Sequence, residues 1–159
     1  MKFKLLISIL LFSLTFSAFA IEMELENIDG TAQNLNDFKG KWVVVNFWAT
    51  WCPPCIAEMP DLQQFHDDHA DKDAIVIGIN VEDLNDDALK SFLETYFITY
   101  PVFRKPIATE SALGTVPGLP TTFLVSPQGK LEARQVGSVT AEMIENFIVK
   151  WEAKQLVLQ

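Results

Sequence analysis

The sequence predicts an α/β domain, a mixed central sheet covered by helices on both faces. Three observations carry this. Strand-like apolar runs alternate with segments of helical periodicity, the run Trp42 to Trp48 is almost wholly apolar and β-branched, and a Pro-Gln-Gly turn separates two strand patterns near the C-terminus.

The first twenty residues stand apart from that domain. Lys2 and Lys4 precede the apolar run Leu5 to Phe16, and Ala18-Phe19-Ala20 puts small residues at a cleavage position, so residues 1–20 read as a cleaved signal peptide. An uncleaved membrane anchor is the competing reading, but a stretch that contains Ser13, Thr15 and Ser17 and ends by Ala20 is short for a bilayer core of roughly 30 Å. An exported, periplasmic protein is therefore expected, with residues 21–159 as one domain. The formal net charge of -9, which removal of Lys2 and Lys4 makes more negative, argues against nucleic acid or an anionic membrane as partner.

Along the domain, Met23 to Leu35 alternates around the turn dipeptide Asp29-Gly30 and reads as an N-terminal β-hairpin. Trp42 to Trp48 has the pattern of a strand buried on both faces and belongs in the middle of the sheet. A tight turn with Cys52 and Cys55 follows, then Ile56, Met59, Leu62 and Phe65 at helical spacing as far as about His69. Pro60 inside that helix is expected to bend it. Ala74 to Val81 is a second buried strand, Asn85 caps a helix that has Asp86 and Asp87 in its first turn, and Tyr100 to Arg104 is a short strand. Strand, helix, strand implies parallel pairing by crossover. Gly114 to Pro120 is a Gly- and Pro-rich loop, and Thr121 to Ser126 and Lys130 to Gly137 form an antiparallel pair around Pro127-Gln128-Gly129. A helix from about Thr140 closes the chain, with Met143, Phe147 and Trp151 on one face.

Cys52 and Cys55 are three residues apart where a helix begins, so both sulfurs lie on one face and a disulfide between them closes a very small ring. Such a ring removes little entropy from the unfolded chain, which makes it a weak staple and favours a bond that is made and broken. Free N–H groups at a helix start favour a thiolate at Cys52, the attacking nucleophile. Cys55, deeper in the helix, resolves the mixed disulfide. Pro53 and Pro54 suit the first helical positions, where a missing N–H is tolerated, and stiffen the turn. A zinc site of Cys52, Cys55, His66 and His69 fails on distance: the helix from Cys55 to His66 would span about 16 Å, so no metal is expected. No nucleotide or flavin fingerprint is present, and the Cys52/Cys55 pair itself carries the electrons, so no further cofactor is expected.

The segment Asn46 to Cys55 followed by Glu58-Met59-Pro60 resembles the active-site segment of the TlpA/ResA/DsbE branch of thioredoxin-like proteins. Gly118-Leu119-Pro120-Thr121-Thr122-Phe123-Leu124 resembles the family's second signature, and Pro127-Gln128-Gly129-Lys130 the hairpin after it. The resemblance implies the thioredoxin fold, with Asn85 to Arg104 as a central helix-strand insertion. It implies that Pro120 is cis and packs on the sulfurs, that Leu119 offers backbone groups to an extended substrate, and that Trp51, Pro53, Leu119 and Gly137 surround Cys52 as an apolar docking surface. Thioredoxin carries a buried Asp where this chain has Asn46, which cannot shuttle a proton. That task passes to Glu58, which matches a family Glu and shares a helical face with Cys55.

The function expected is thiol:disulfide oxidoreduction outside the cytoplasm, most simply a reductase for protein disulfides of the cytochrome c maturation or metal-site assembly type. By the same resemblance a membrane-embedded thiol donor supplies electrons; a monomer is expected, although the sequence itself does not set the oligomeric state. Oxidation or isomerisation of disulfides is the alternative, because the motif does not set the direction. A Cu(I)-binding chaperone is a third reading that the two soft sulfurs permit.

Overall fold

The computed structural model describes residues 21–104 and 110–157, so the signal-peptide reading of residues 1–20 lies outside the described residues. The chain runs through β1 (Glu24–Asn27), β2 (Ala32–Asn34), a 3-10 helix (Leu35–Phe38), β3 (Trp42–Trp48), α1 (Pro53–His69), β4 (Ala74–Asn80), α2 (Asp86–Thr95) and β5 (Val102–Arg104). It continues through β6 (Glu110–Ser111), β7 (Gly114–Thr115), β8 (Thr121–Val125), β9 (Leu131–Val136) and α3 (Ala141–Val157).

Seven strands form one sheet in the order β2-β1-β5-β4-β3-β8-β9. The two crossovers make β3, β4 and β5 parallel, and β8 returns antiparallel against β3. Every residue of β3 is buried, as its nearly continuous apolar run requires of a strand with neighbours on both sides. β1 lies antiparallel on β5, so the strand contributed by the central insertion is the seat on which the N-terminal hairpin joins the sheet.

The helical cover is uneven. Alternate residues of β3 share a face, and on one face Trp42 meets Phe147 and Trp151 of α3, Asn46 meets Glu58 of α1, and Trp48 stacks on Phe92 of α2. On the other face Phe47 packs edge-on against Phe123, and Phe38 of the 3-10 helix against Phe103. Three α-helices thus cover one side and a single 3-10 turn helps to cover the other.

Two local expectations change. The segment read as a loop from Gly114 contains β7, which pairs with β6 as a two-stranded hairpin, so the irregular stretch is shorter. In α3 the buried side chains are Ile144 and Ile148, whereas Met143 is 46% exposed and Phe147 and Trp151 are half-buried against Trp42. Asn85 caps α2 as read, accepting from the Ala88 N–H at 2.8 Å.

Gly78 in β4 lies opposite Asn46, beneath the helices. A Cβ there would stand 2.9 Å from Trp48 Nε1, 3.1 Å from Tyr100 Cε2 and 3.3 Å from Val102 Cγ2. All three belong to buried residues that cannot swing away. Gly78→Ala is expected to destabilise the protein by about 1–3 kcal/mol, read as a lowered urea midpoint. An unchanged midpoint would show that the sheet yields at this position.

Candidate active site

The end of β3 delivers the chain into the turn Ala49–Trp51, and α1 begins immediately beyond it. Cys52 is the N-cap of α1, and its Sγ accepts the Cys55 N–H at 3.3 Å, while Pro53 and Pro54 occupy the first helical positions. The two cysteines form a disulfide with an S–S distance of 2.07 Å. Both are buried, so exposure does not separate their roles; Cys52 lines the neighbouring groove and Cys55 is not among its walls. On reduction, the Cys55 N–H and the positive end of the α1 dipole favour negative charge at Cys52, Pro53 and Pro54 bringing no N–H of their own.

Glu58 lies three residues beyond Cys55 and is only 2% exposed. One carboxylate oxygen accepts from Asn46 Nδ2 at 2.7 Å and the other from the Val139 N–H at 2.8 Å. Asn46 Nδ2 also donates to Thr122 Oγ1 at 3.0 Å. Four segments, β3, α1, β8 and the turn before α3, therefore meet at one acid. Burial pushes the Glu58 carboxyl up to about 7, against the two hydrogen bonds that favour its charged form, and nearby Asp61 adds to the rise. A carboxyl that changes charge near neutrality one helical turn from Cys55 is suited to exchanging a proton with it. Neither Val139, its direct partner, nor Thr122, which reaches it through Asn46, was legible. The signal for Asn46 was present: a lone amide in an otherwise apolar buried strand needs a polar partner.

The Leu119–Pro120 peptide is cis. The loop is held by Thr121 Oγ1, which donates to the Gly118 carbonyl at 2.7 Å, and by the Gly137 N–H, which donates to the Pro120 carbonyl at 2.9 Å. Beside Cys52 opens a mostly apolar groove of about 380 Å³ whose walls include Trp51, Pro53, Val81, Val116, Pro117 and Leu119. Three of the four expected docking residues are there. Gly137 does not line the groove itself; it sits beside the cis-proline loop, its N–H on the Pro120 carbonyl, and with a φ of 92° it makes the turn that ends β9. Sequence reasoning missed Val81 and Val116-Pro117, which reach the groove from the end of β4 and from the loop before Pro120. Trp51, 65% exposed, is the prominent apolar side chain at its rim.

His66 and His69 have other surroundings. His66 Nδ1 accepts the Val76 N–H at 3.4 Å, and burial holds its imidazole below the usual range; His69 stacks on Phe65 and lies 2.9 Å from Asp73. Among the described residues no cluster of three or more His, Cys, Asp or Glu could hold a metal ion, and no helix is long and apolar enough to cross a membrane.

The model of the AhpC/TSA family matches residues 17–134. The thiol-disulfide oxidoreductase ResA of Bacillus thuringiensis subsp. konkukian is 34% identical over 125 residues, covering 78% of this chain and 71% of that protein. Among solved structures, a DsbF homologue from Corynebacterium diphtheriae superposes with a TM-score of 0.73 at 35% identity, covering 82% of this chain and 85% of that one. A secreted thiol-disulfide isomerase from Corynebacterium glutamicum does so with a TM-score of 0.73 at 30% identity, covering 80% and 81%.

Proposed function

This chain belongs to the AhpC/TSA family and is a thioredoxin-fold thiol-disulfide oxidoreductase of the ResA/DsbE type, and from that premise we propose that it reduces disulfides of selected proteins outside the cytoplasm. The observation that supports this best is the placing of Cys52 at the start of α1, facing an apolar groove, with Glu58 buried one turn beyond Cys55. In the reduced protein the Cys52 thiolate attacks one sulfur of a substrate disulfide, forming a mixed disulfide and releasing the other substrate sulfur as a thiolate. Cys55, giving its proton to Glu58, attacks Cys52 Sγ, releases the second substrate thiol and closes the Cys52–Cys55 bond. Two electrons have passed from the dithiol to the substrate, and a thiol donor must return two to reopen the bond.

Trp51, Pro53 and Leu119 dock the apolar residues that flank the substrate cystine, and the cis Pro120 loop presents its backbone to an extended segment. The substrates are of the cytochrome c maturation or metal-site assembly type, the donor is a membrane-embedded thiol carrier, and the protein acts as a monomer in the periplasm after residues 1–20 are removed. It works without a further cofactor. A secreted isomerase among the solved relatives supports a second reading, in which disulfides are shuffled or formed.

The equilibrium reduction potential of the Cys52/Cys55 pair, measured in glutathione or dithiothreitol buffers by mass shift after thiol alkylation, separates the two. A reductase is expected near thioredoxin's value, about -270 mV, whereas a value near about -120 mV would mark an oxidant and overturn the proposal.

A further inference from the structure

Thr50, two residues before Cys52, is anchored from outside its own segment. Its N–H and its hydroxyl both donate to the Glu82 carboxylate, at 2.6 and 3.0 Å. The same carboxylate accepts from Nδ2 of the fully buried Asn80 at 3.1 Å, and Asn80 Oδ1 accepts the Glu82 N–H at 3.1 Å. Hydrogen bonds to a carboxylate are shorter and stronger than those between neutral groups, so this is a firm clip.

Its place in the fold gives it meaning. β3 and β4 run in register until Trp48 pairs with Asn80, and beyond that pair the two chains separate. The Val81 N–H still reaches the Trp48 carbonyl at 3.1 Å, and the Glu82 carboxylate then fastens the next turn. The groove lies across this junction, with Trp51 and Cys52 contributed from one chain and Val81 from the other. The sulfurs are held differently, since Cys52 Sγ is fixed by the N–H of Cys55 within α1.

We propose that Glu82 is a positioning residue for substrate docking: by anchoring the Thr50 turn it sets Trp51 against Val81, and so the fit of an extended peptide beside its disulfide. The inference rests on the thiol-disulfide reading of the same site. Cys52 shares that turn through its N–H, which donates to the Ala49 carbonyl at 3.2 Å, but it is also held by α1, its carbonyl accepting the Ile56 N–H at 3.1 Å and its Sγ the Cys55 N–H at 3.3 Å, so Glu82 acts on recognition of a peptide more than on the reactivity of the sulfur.

The test compares reduced wild type with Glu82→Ala, Glu82→Gln and Thr50→Val on two substrates, a peptide disulfide with apolar residues beside its cystine and glutathione disulfide. Glu82→Ala is expected to raise KM for the peptide roughly tenfold, with kcat and the rate on glutathione disulfide held within about twofold, since misplacement of a docking group weakens binding of what it docks. Glu82→Gln keeps an oxygen for the Thr50 N–H and is expected to recover most of the loss, and Thr50→Val, which loses the hydroxyl bond alone, to fall between. Equal losses on both substrates, or a lowered melting temperature with an unchanged KM, overturn the proposal. Should Glu82→Ala fail to fold, Thr50→Val and Glu82→Gln decide by the same KM criterion. A wild type that reduces neither substrate overturns the thiol-disulfide reading together with this inference, and is seen before any variant is made.

Discussion

Cys52→Ser is expected to abolish disulfide exchange, a loss of at least about a thousandfold, because a serine hydroxyl at neutral pH is neither ionised nor a nucleophile towards sulfur. Cys55→Ser is expected to behave differently. Cys52 still attacks, but nothing resolves the product, so a mixed disulfide with the substrate or with glutathione accumulates and is read directly as an added mass on the intact protein. The asymmetry follows from the groove, which Cys52 lines and Cys55 does not. If Cys52→Ser were the variant that trapped the adduct, the two roles would be reversed.

Glu58→Gln is expected to remove a large pH dependence of stability from the oxidised protein. In the unfolded chain this carboxyl titrates at its ordinary 4.5 and in the folded one at about 7. Below pH 4.5 both states hold the proton and the group does not distinguish them. As the pH rises from 4.5 to 7 the unfolded chain releases its proton first, so stability falls, and above 7 the loss is complete. At roughly 1.4 kcal/mol per unit the total is about 3 kcal/mol. Glutamine can be accommodated: its oxygen accepts the Val139 N–H, and the Asn46 amide turns over so that Oδ1 meets the new NH₂ and the Thr122 hydroxyl. Urea unfolding from about pH 4 to 8.5 should therefore show the variant gaining on wild type as the pH rises. An inflection near pH 7 in the rate of thiol exchange should disappear with it. A stability gap that did not change with pH would place the Glu58 proton elsewhere.

What could be read in advance was local. The nearly continuous apolar run of β3, the cap at Asn85, the turn between β8 and β9 and the Cys pair at a helix start each follow from a few adjacent residues. The Glu58 environment could not be read this way, because Val139 lies 81 positions from it and no periodicity links a helical acid to an amide before α3. The resemblance named Gly137 as part of the docking surface, and what no local pattern could supply is the bond by which its N–H joins the Pro120 loop. In α3 the stripe Met143, Phe147, Trp151 lies next to the stripe Ile144, Ile148. Periodicity alone does not say which of two neighbouring stripes is deeper: Ile144 and Ile148 are the buried ones, while Phe147 and Trp151 still pack on Trp42. The hairpin of β6 and β7 is two residues a side, too short for any pattern to register.

The borders of the sheet bear on a hazard that any strand-pairing protein faces, unwanted growth into aggregates. One border, β2, is three residues long. The other, β9, carries Glu132, Arg134 and Gln135, is irregular in register opposite Leu124 and Val125, and is crossed by Arg134 Nη1 reaching the Thr115 carbonyl at 3.2 Å. Short, charged and irregular borders are poor templates for another chain's backbone. The proposed docking of an extended segment at the Pro120 loop would thus take place on a molecule whose edges do not invite the same segment to add to them.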